Sequence, residues 1–503
     1  MRVFVILFAG VLLTTYVQTM VFPGISIIEK DLSTTATVGS WIASIVLLVG
    51  AAVSPIMGKL GDLYGKKKLL IAALAFYTVG NILAGFSTSI YLLLFARAIQ
   101  GIGLTVLPLS LALITDIFPK EKVTMAQGAL GGAAAISMAL GLLLGAYSIQ
   151  DLGWQVSFQI VAVISVIVLV AIIAGLKRDI SCTKCRIDYL GALLLGLGVA
   201  LLLVFATEGS TLGWFSGGEI ALLVSGLALT VLFFYVESKI DEPLIPLKLL
   251  KIRNVLVSNL ITLIAGLATN LLFFVVIAYA ELPKPLGLGF DIIAIGLMLL
   301  PGTIVMLLLG PILGRIIIKT GPKPILAGGG FLLILSFALL ILNRGTGTAV
   351  TVGVIFGFAG IISLLAPVAN IISLSLPTED GSVGQAFNLT LRNIGGAIGP
   401  ILATAVLAVY TTPLTQIIAG NPVVVATVPS ATGFNVVLAA GIALGVAVIV
   451  ISLATKNAAF KSKSLVGETT PQIITNKNEP KVVKIKKPET KEVTHEKIDY
   501  LGH

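Results

Sequence analysis

The chain has 503 residues, of which 57% are hydrophobic and only 11% charged, and it carries a formal net charge of +10. A soluble globular protein is about 25% charged and a disordered chain needs low hydrophobicity, so both classes are excluded. A bilayer remains, where each helical span takes about 20 apolar residues.

Fourteen apolar segments follow in chain order: 3–22, 37–58, 69–88, 91–115, 125–148, 154–176, 189–207, 217–236, 255–280, 292–314, 322–342, 347–375, 385–410 and 434–455. Each is predicted to be a transmembrane helix, which makes an all-α polytopic membrane protein. The first segment starts directly after Met1-Arg2. No small-x-small cleavage site follows it, so it reads as a span and not as a signal peptide. The connections are short and carry turn residues such as Gly65-Lys66 and Asp151-Leu152-Gly153.

Charge sets the expected orientation. With Met1 inside, the inward segments up to Lys323 hold eighteen Lys and Arg, against Lys30, Lys284 and Arg344 in the outward loops. That asymmetry is the positive-inside pattern, and an even span count puts both termini in the cytoplasm. From about 456 to 503 the composition changes to ten Lys, six acidic residues and both histidines, His495 and His503. This reads as a disordered cytoplasmic tail, either simply solvated or drawn to anionic lipid. Topology accounts for most of the positive charge, so no nucleic acid partner is needed.

An internal repeat is visible. Pro55-Ile-Met-Gly58-Lys59 matches Pro311-Ile-Leu-Gly314-Arg315 at an offset of 256 residues, and Gly65 and Lys67 match Gly321 and Lys323 at the same offset. Two six-helix bundles, 1–180 and 251–455, are therefore expected, with a two-helix insert at 181–250 between them. Tandem halves let one bundle rock against the other around a site at mid-membrane.

Few polar residues interrupt the spans. Gly58-Lys-Leu-Gly61-Asp62-Leu-Tyr-Gly65-Lys66-Lys-Lys joins spans two and three. Its glycines allow a sharp turn and close helix approach, and Asp62 could pair with a neighbouring cation or sit at a helix N-terminus as a latch. Arg97 lies inside span four, followed by Gln100 and Gly101. An arginine there costs about 2.5–3.5 kcal/mol on insertion scales, so it should face a cavity or a partner, unless it snorkels to the outer interface. Arg392 in span thirteen is the other intramembrane cation, either a cavity or gate charge or one bound to backbone carbonyls. The expected cavity lining is uncharged: Tyr16, Gln18, Thr19, Trp41, Gln100, Asn270, Tyr279, Asn370 and Asn388. Polar groups among apolar walls suit a lipophilic small molecule, although each amide could equally be glue between helices.

Cys182-x-x-Cys185 supplies only two thiols, too few for a zinc site. No phosphate-cradling Gly-x-x-x-x-Gly-Lys-Ser/Thr loop is present. No metal, cofactor or enzymatic activity is expected.

The loop between spans two and three resembles the GxLaDRxGrk motif of the major facilitator superfamily, with Leu63 where the family has arginine. Arg97-x-x-Gln100-Gly101 is similar to the family's proton-coupling arginine motif. Gly141-Leu-Leu-Leu-Gly145-Ala in span five resembles its antiporter motif GPxxGG, with Leu142 in place of proline. Fourteen spans, Arg186-Ile-Asp-Tyr-Leu-Gly191, Asp241-Glu-Pro-Leu-Ile-Pro246, Gly296–Gly302 and Arg392–Gly399 resemble the fourteen-span drug:proton antiporter branch. The likeness covers residues 1–455. It implies a monomeric plasma-membrane exporter that works by alternating access, exchanges lipophilic compounds for protons, and uses Asp62, Arg97, Asp116 and Arg392 in gating or coupling. Branch members carry an acid in span one; alignment on Pro23 puts Thr14 there. The carboxylates left to carry a proton are Asp62, Asp116, Glu281 and Asp291. A facilitator or importer of a small metabolite, without antiport, is the alternative.

Overall fold

The computed structural model describes residues 2–118, 120–176, 189–240, 250–376, 381–418 and 421–455. The expected tail, the cysteine pair, and the motifs at Arg186 and Asp241 lie outside the described residues.

The helices in chain order are α1 (Arg2–Met20), the short α2 (Ile25–Asp31), α3 (Ala36–Tyr64), α4 (Lys66–Gly85), α5 (Ile90–Ile102), α6 (Val106–Ile117), α7 (Lys120–Leu152) and α8 (Trp154–Gly175). They continue with α9 (Tyr189–Leu212), α10 (Gly217–Glu237), α11 (Arg253–Glu281), α12 (Ile292–Thr320), α13 (Pro322–Leu342), α14 (Gly347–Ser375), α15 (Gly381–Val409) and α16 (Ala431–Leu453). Among the described residues, thirteen stretches are long and apolar enough to cross a membrane; α9 adds only the shorter apolar run Leu193–Ala206. The first span extends past the expected Phe22, through a 3₁₀ turn at Phe22–Gly24, to Asp31. Span four is broken by a 3₁₀ turn at Gly103–Thr105, which separates α5 from α6.

The repeat is carried by the backbone. Helices α3 and α12 both have 29 residues and start 256 residues apart, and α4 and α13 start at the same offset. Gly65 (φ +103°) and Gly321 (φ +78°) stand at the equivalent corners, in a region of backbone space that side chains rarely enter. The offset drifts after these helices and is widest at the last one, where β1 (Thr411–Ile418) and β2 (Asn421–Pro429) form an antiparallel hairpin ahead of α16.

Consecutive spans alternate in direction, so the molecule has a near end, where α1 begins, and a far end. Helices starting at the far end, α8 apart, take side-chain caps: Thr35, Ser89, Ser216, Asp291, Thr346 and Ser430 each accept from a backbone N–H of the first turn. Each such cap contributes about 1 kcal/mol. At the near end α4 opens with Lys66, Lys67 and Lys68, and α11 with Arg253. Cations at a helix N-terminus oppose the macrodipole, so their placement must answer a different demand. The positive-inside bias is such a demand.

Helix α11 is apolar on nearly every face, and 78% of its spanning window is buried among α14, α15 and α16; only 17% of the α10 window is. Thus α11 is a core helix and α10 exposes its sides to lipid. Helix α9 packs on both α3 and α15, which brings the pair α9–α10 against the join between the repeats.

Candidate functional site

A cleft lies between the two repeats, with about 840 Å3 of space including its open mouth. Each wall is one helical face. From α1 come Thr14, Thr15, Gln18 and Thr19; from α7, Ala134 and Met138; from α11, Gly266, Thr269, Asn270 and Phe273; from α15, Leu389, Arg392 and Asn393. Spacings of three and four residues stack these side chains on single helix faces. Leu47, Leu104 and Leu107 complete the apolar part.

The repeats are drawn together at the far end. Phe22 stacks on Phe273 with ring centroids 5.2 Å apart. Ser26 Oγ donates to Glu281 Oε1 at 2.8 Å, and Gln150 Nε2 donates to Asp291 Oδ2 at 3.4 Å. A Cβ on Gly296 of α12 would come within 2.5 Å of the Leu142 carbonyl of α7, so that crossing admits only glycine. Farther from that end a Cβ on Gly58, Gly132 or Gly314 would meet nothing within 4 Å, while α3 and α15 stay packed on each other. The cleft is therefore tied shut at the far end.

Of the residues expected to line a cavity, Gln18, Thr19 and Asn270 do so. Tyr16 and Trp41 pack into apolar clusters instead. Tyr279 meets Phe434 edge-to-face and lies under the Arg344 guanidinium, 5.2 Å from its ring, inside the second repeat. Burial lowers the Arg344 pKa, and Tyr279 opposes that shift. Asn370 is exposed and donates to the Ala366 carbonyl. Asn388 is buried and donates to Asn259 Oδ1 and Thr262 Oγ1, both at 2.9 Å, which makes it a joint between α15 and α11.

Arg97 is also away from the cleft. It is 1% exposed, donates Nε–H to the Ile42 carbonyl at 2.9 Å and Nη1–H to Gln100 Oε1 at 2.7 Å. Gln100 Nε2 reaches Asn81 Oδ1 at 3.3 Å, Asn81 Nδ2 donates to the Tyr77 carbonyl, and Tyr77 Oη donates to the Leu13 carbonyl. This chain ties α5, α3, α4 and α1 together inside the first repeat. Neither snorkelling nor exposure to the cleft describes it; Arg97 Nη2 has no partner among the described residues. Gly101 permits the close crossing, since a Cβ there would come within 2.7 Å of the Val46 carbonyl.

Gly141 and Gly145 seat α7 on α1: a Cβ would come within 2.7 Å of the Tyr16 carbonyl and 2.8 Å of Met20 Cα, respectively. At the near end Lys66 Nζ bonds Asp116 Oδ2 at 2.7 Å, and Lys67 Nζ donates to the Leu176 carbonyl, both within the first repeat. Asp62 belongs to the last turn of α3, not to a helix N-terminus, and its side chain lies outside the described residues. Glu281 ends α11 in the far-end seal, while Asp291 caps α12 through the Ala294 N–H at 2.8 Å. Neither is a free loop charge. Trp154 is buried and donates Nε1–H to Asp31 Oδ2 at 3.0 Å.

Sequence reasoning misses Thr14, Thr15, Thr269 and Asn393 as lining residues. Thr14 stands where the antiporter branch has its acid, and its hydroxyl turns back to the Gly10 and Val11 carbonyls. The apolar segments place Arg392 about two turns into its helix; α15 begins earlier, at Gly381, and this sets Arg392 deeper, in the cleft wall. Among the described residues no Asp or Glu lines the cleft, and no group of three or more His, Cys, Asp or Glu could hold a metal ion.

Repeated helical bundles about a mid-membrane cleft define a membrane transport protein by architecture. Residues 7–400 match the model of the Major Facilitator Superfamily, and the chain belongs to that family. It is 27% identical over 416 residues to the uncharacterized MFS-type transporter YhcA of Bacillus subtilis (strain 168), covering 82% of this chain and 77% of that one. It is 32% identical over 263 residues to Multidrug resistance protein 3 of the same organism, covering 52% and 51% of the two chains. The crystal structure of the peptide transporter POT in complex with sulfate shares the fold at a TM-score of 0.64 and 14% identity, over 90% of this chain and 96% of that one.

Proposed function

We propose that the protein is a monomeric secondary transporter of the plasma membrane that exports amphipathic drug-like compounds in exchange for protons, as a member of the fourteen-span drug:proton antiporter branch. The observation that carries this reading is the cleft between two repeats, tied at one end by contacts that must break for the other side to gain access. The positive-inside bias makes the near end cytoplasmic, so the cleft would load from the cytoplasm and from the inner leaflet. In the rocking cycle the halves 1–180 and 251–455 move as bodies, with 181–250 riding beside them. The names of relatives such as Multidrug resistance protein 3 support the drug class.

The proton site is assigned to Glu281. Its partner, Ser26, belongs to the other repeat inside the seal, and the nearby Glu29 carboxylate acts on it electrostatically. Asp291 also crosses the seal, but the Ala294 N–H holds it as a helix cap. Uptake of a proton from the outside would remove charge repulsion between Glu29 and Glu281 and hold the far end shut; release to the cytoplasm would restore the repulsion and favour opening of the far end. Arg97 acts at one remove, by holding α1 and α3, which supply cleft and seal, in one geometry. Asp62, Lys66 and Asp116 would serve as the near-end latch.

Purified full-length protein in liposomes with an imposed pH gradient tests the proposal. A panel of lipophilic fluorescent compounds should move against counter-flowing protons, seen with an internal pH dye. Movement indifferent to the gradient would reject antiport. It would favour the facilitator reading, for which the loss of a span-one acid at Thr14 already speaks.

A further inference from the structure

Arg392 presents an unusual electrostatic situation. Its guanidinium lines the cleft and makes no hydrogen bond or ion pair among the described residues. An arginine cannot shed its proton to relieve the charge. A cation in a low-dielectric setting is expensive without a counter-charge, and among the described residues no carboxylate lines the cleft. Beside it, Asn393 Nδ2 is a buried donor with no partner. Two adjacent donors thus look for an acceptor, one of them charged.

The rest of the wall limits what that acceptor can be. Gln18, Thr14 and Thr269 are neutral, and among the described residues no second Lys or Arg joins Arg392 in the lining, so one negative charge is matched and two are not. The same lining holds Phe22 and Phe273, stacked on each other, with Leu104, Leu107 and Met138. These suit an apolar body, not a small hydrated ion. A cationic compound would meet Arg392 with no carboxylate to offset the repulsion, and a neutral one would leave both donors unmatched.

We propose that the cleft binds an amphipathic monoanion, its carboxylate or sulfonate held by Arg392 and Asn393 and its apolar part laid along Phe22 and Phe273. This rests on the reading of the cleft as the transport site, and it narrows the substrate class from lipophilic compounds in general to organic anions.

Equilibrium binding to the full-length protein in lipid nanodiscs tests it without any gradient. The probes are 11-(dansylamino)undecanoic acid, its methyl ester, and the matching terminal amine, with sodium chloride and sodium acetate as competitors. The acid should bind at least about ten-fold more tightly than the ester, and the amine more weakly than either, because Arg392 attracts the first and repels the last. Chloride and acetate should compete only weakly. Arg392→Gln should bring acid and ester to within about two-fold of each other while the ester's own affinity is nearly unchanged, and Arg392→Lys should keep part of the preference.

Equal affinities for acid and ester in the unaltered protein, a preference for the amine, or no binding of any probe would overturn the proposal. So would ready displacement of the acid by chloride, which would reveal a plain halide site. Should Arg392→Gln fail to fold by thermal melting, the probe series on the unaltered protein still decides. Anion preference without gradient-driven movement would leave this inference standing and reject the coupled-export reading. Gradient-driven export with no anion preference would do the reverse.

Discussion

Two arginines lie inside the helical bundle, and they sit in opposite situations. Arg97 is sealed within the first repeat, with the Ile42 carbonyl and Gln100 as acceptors and a relay of amides behind them. Arg392 stands between the repeats, on the cleft wall, without a bonded partner among the described residues. By insertion cost alone they are alike. The difference suggests a division of labour: a charge bonded within its own bundle through two of its three nitrogens holds a shape, whereas a charge left without any bond between bundles is available to something that comes and goes. The same division separates Asn388, paired within the second repeat, from Glu281, bonded across the seal.

The largest expected effect comes from Arg97→Ala. It strips the Ile42 carbonyl and Gln100 of their donor in a buried setting, where each unsatisfied group costs about 1–3 kcal/mol. Melting in detergent should fall by many degrees, transport should be lost with it, and Arg97→Lys should recover little, since a single ammonium cannot serve both acceptors in the same fork geometry. If Arg97→Ala melts normally, the relay is not what holds α1, α3, α4 and α5 together, and the contrast with Arg392 collapses.

Glu281→Gln probes the other side of the comparison. It keeps the hydrogen bond from Ser26 and removes the titratable charge, so melting should stay within a few degrees. Gradient-driven transport should drop about ten-fold or more, the usual scale for losing a positioned proton carrier. Substrate exchange without a gradient should persist. Equal losses in both assays would make Glu281 a structural member of the seal. Ser26→Ala is a milder version. It deletes one charge-assisted bond, worth about 1.5–3 kcal/mol before water substitutes for it, so the far end should open more readily. Accessibility of a cysteine placed at Gln18, read with a membrane-impermeant maleimide added from outside, should rise several-fold.

Much of the architecture is legible in the sequence because its physics is local or periodic. Apolar runs of spanning length mark the helices, and Pro55-to-Gly65 repeating at 311-to-321 marks the duplication, which the equal lengths of α3 and α12 repeat in three dimensions. The hairpin at 411–429 escapes that reading, although Val423-Val-Val-Ala-Thr-Val428 is a β-branched run after Gly420-Asn421. It lies between two strong helical signals and is absorbed into a loop. For the site, polar residue type can be read but helix phase cannot. Gln18, Thr19 and Asn270 face the cleft, whereas Tyr16, Asn370 and Asn388 point elsewhere by a rotation of one or two residues about their helices. Which face of a span meets the other repeat depends on packing among distant segments, and the hydrophobicity of a span uniform around its axis carries no trace of it.

The smallest expected effect sharpens that last distinction. Asn388 donates to Asn259 and Thr262 on α11, one residue away from the cleft-lining Leu389. Were its role to bind cargo, Asn388→Ala would weaken probe affinity. As a joint within one repeat it should instead lower stability only slightly, because interhelical hydrogen bonds in membranes average about 0.6 kcal/mol. Thermal melting should shift by a degree or two, with binding of the dansyl probes and coupled transport unchanged. A clear loss of affinity with an unchanged melt would move Asn388 to the cleft and show that the second repeat rotates α15 about its axis during the cycle. That motion would carry Arg392 out of the wall at the same time, so the acid preference of the probe series should then depend on which end of the protein is open.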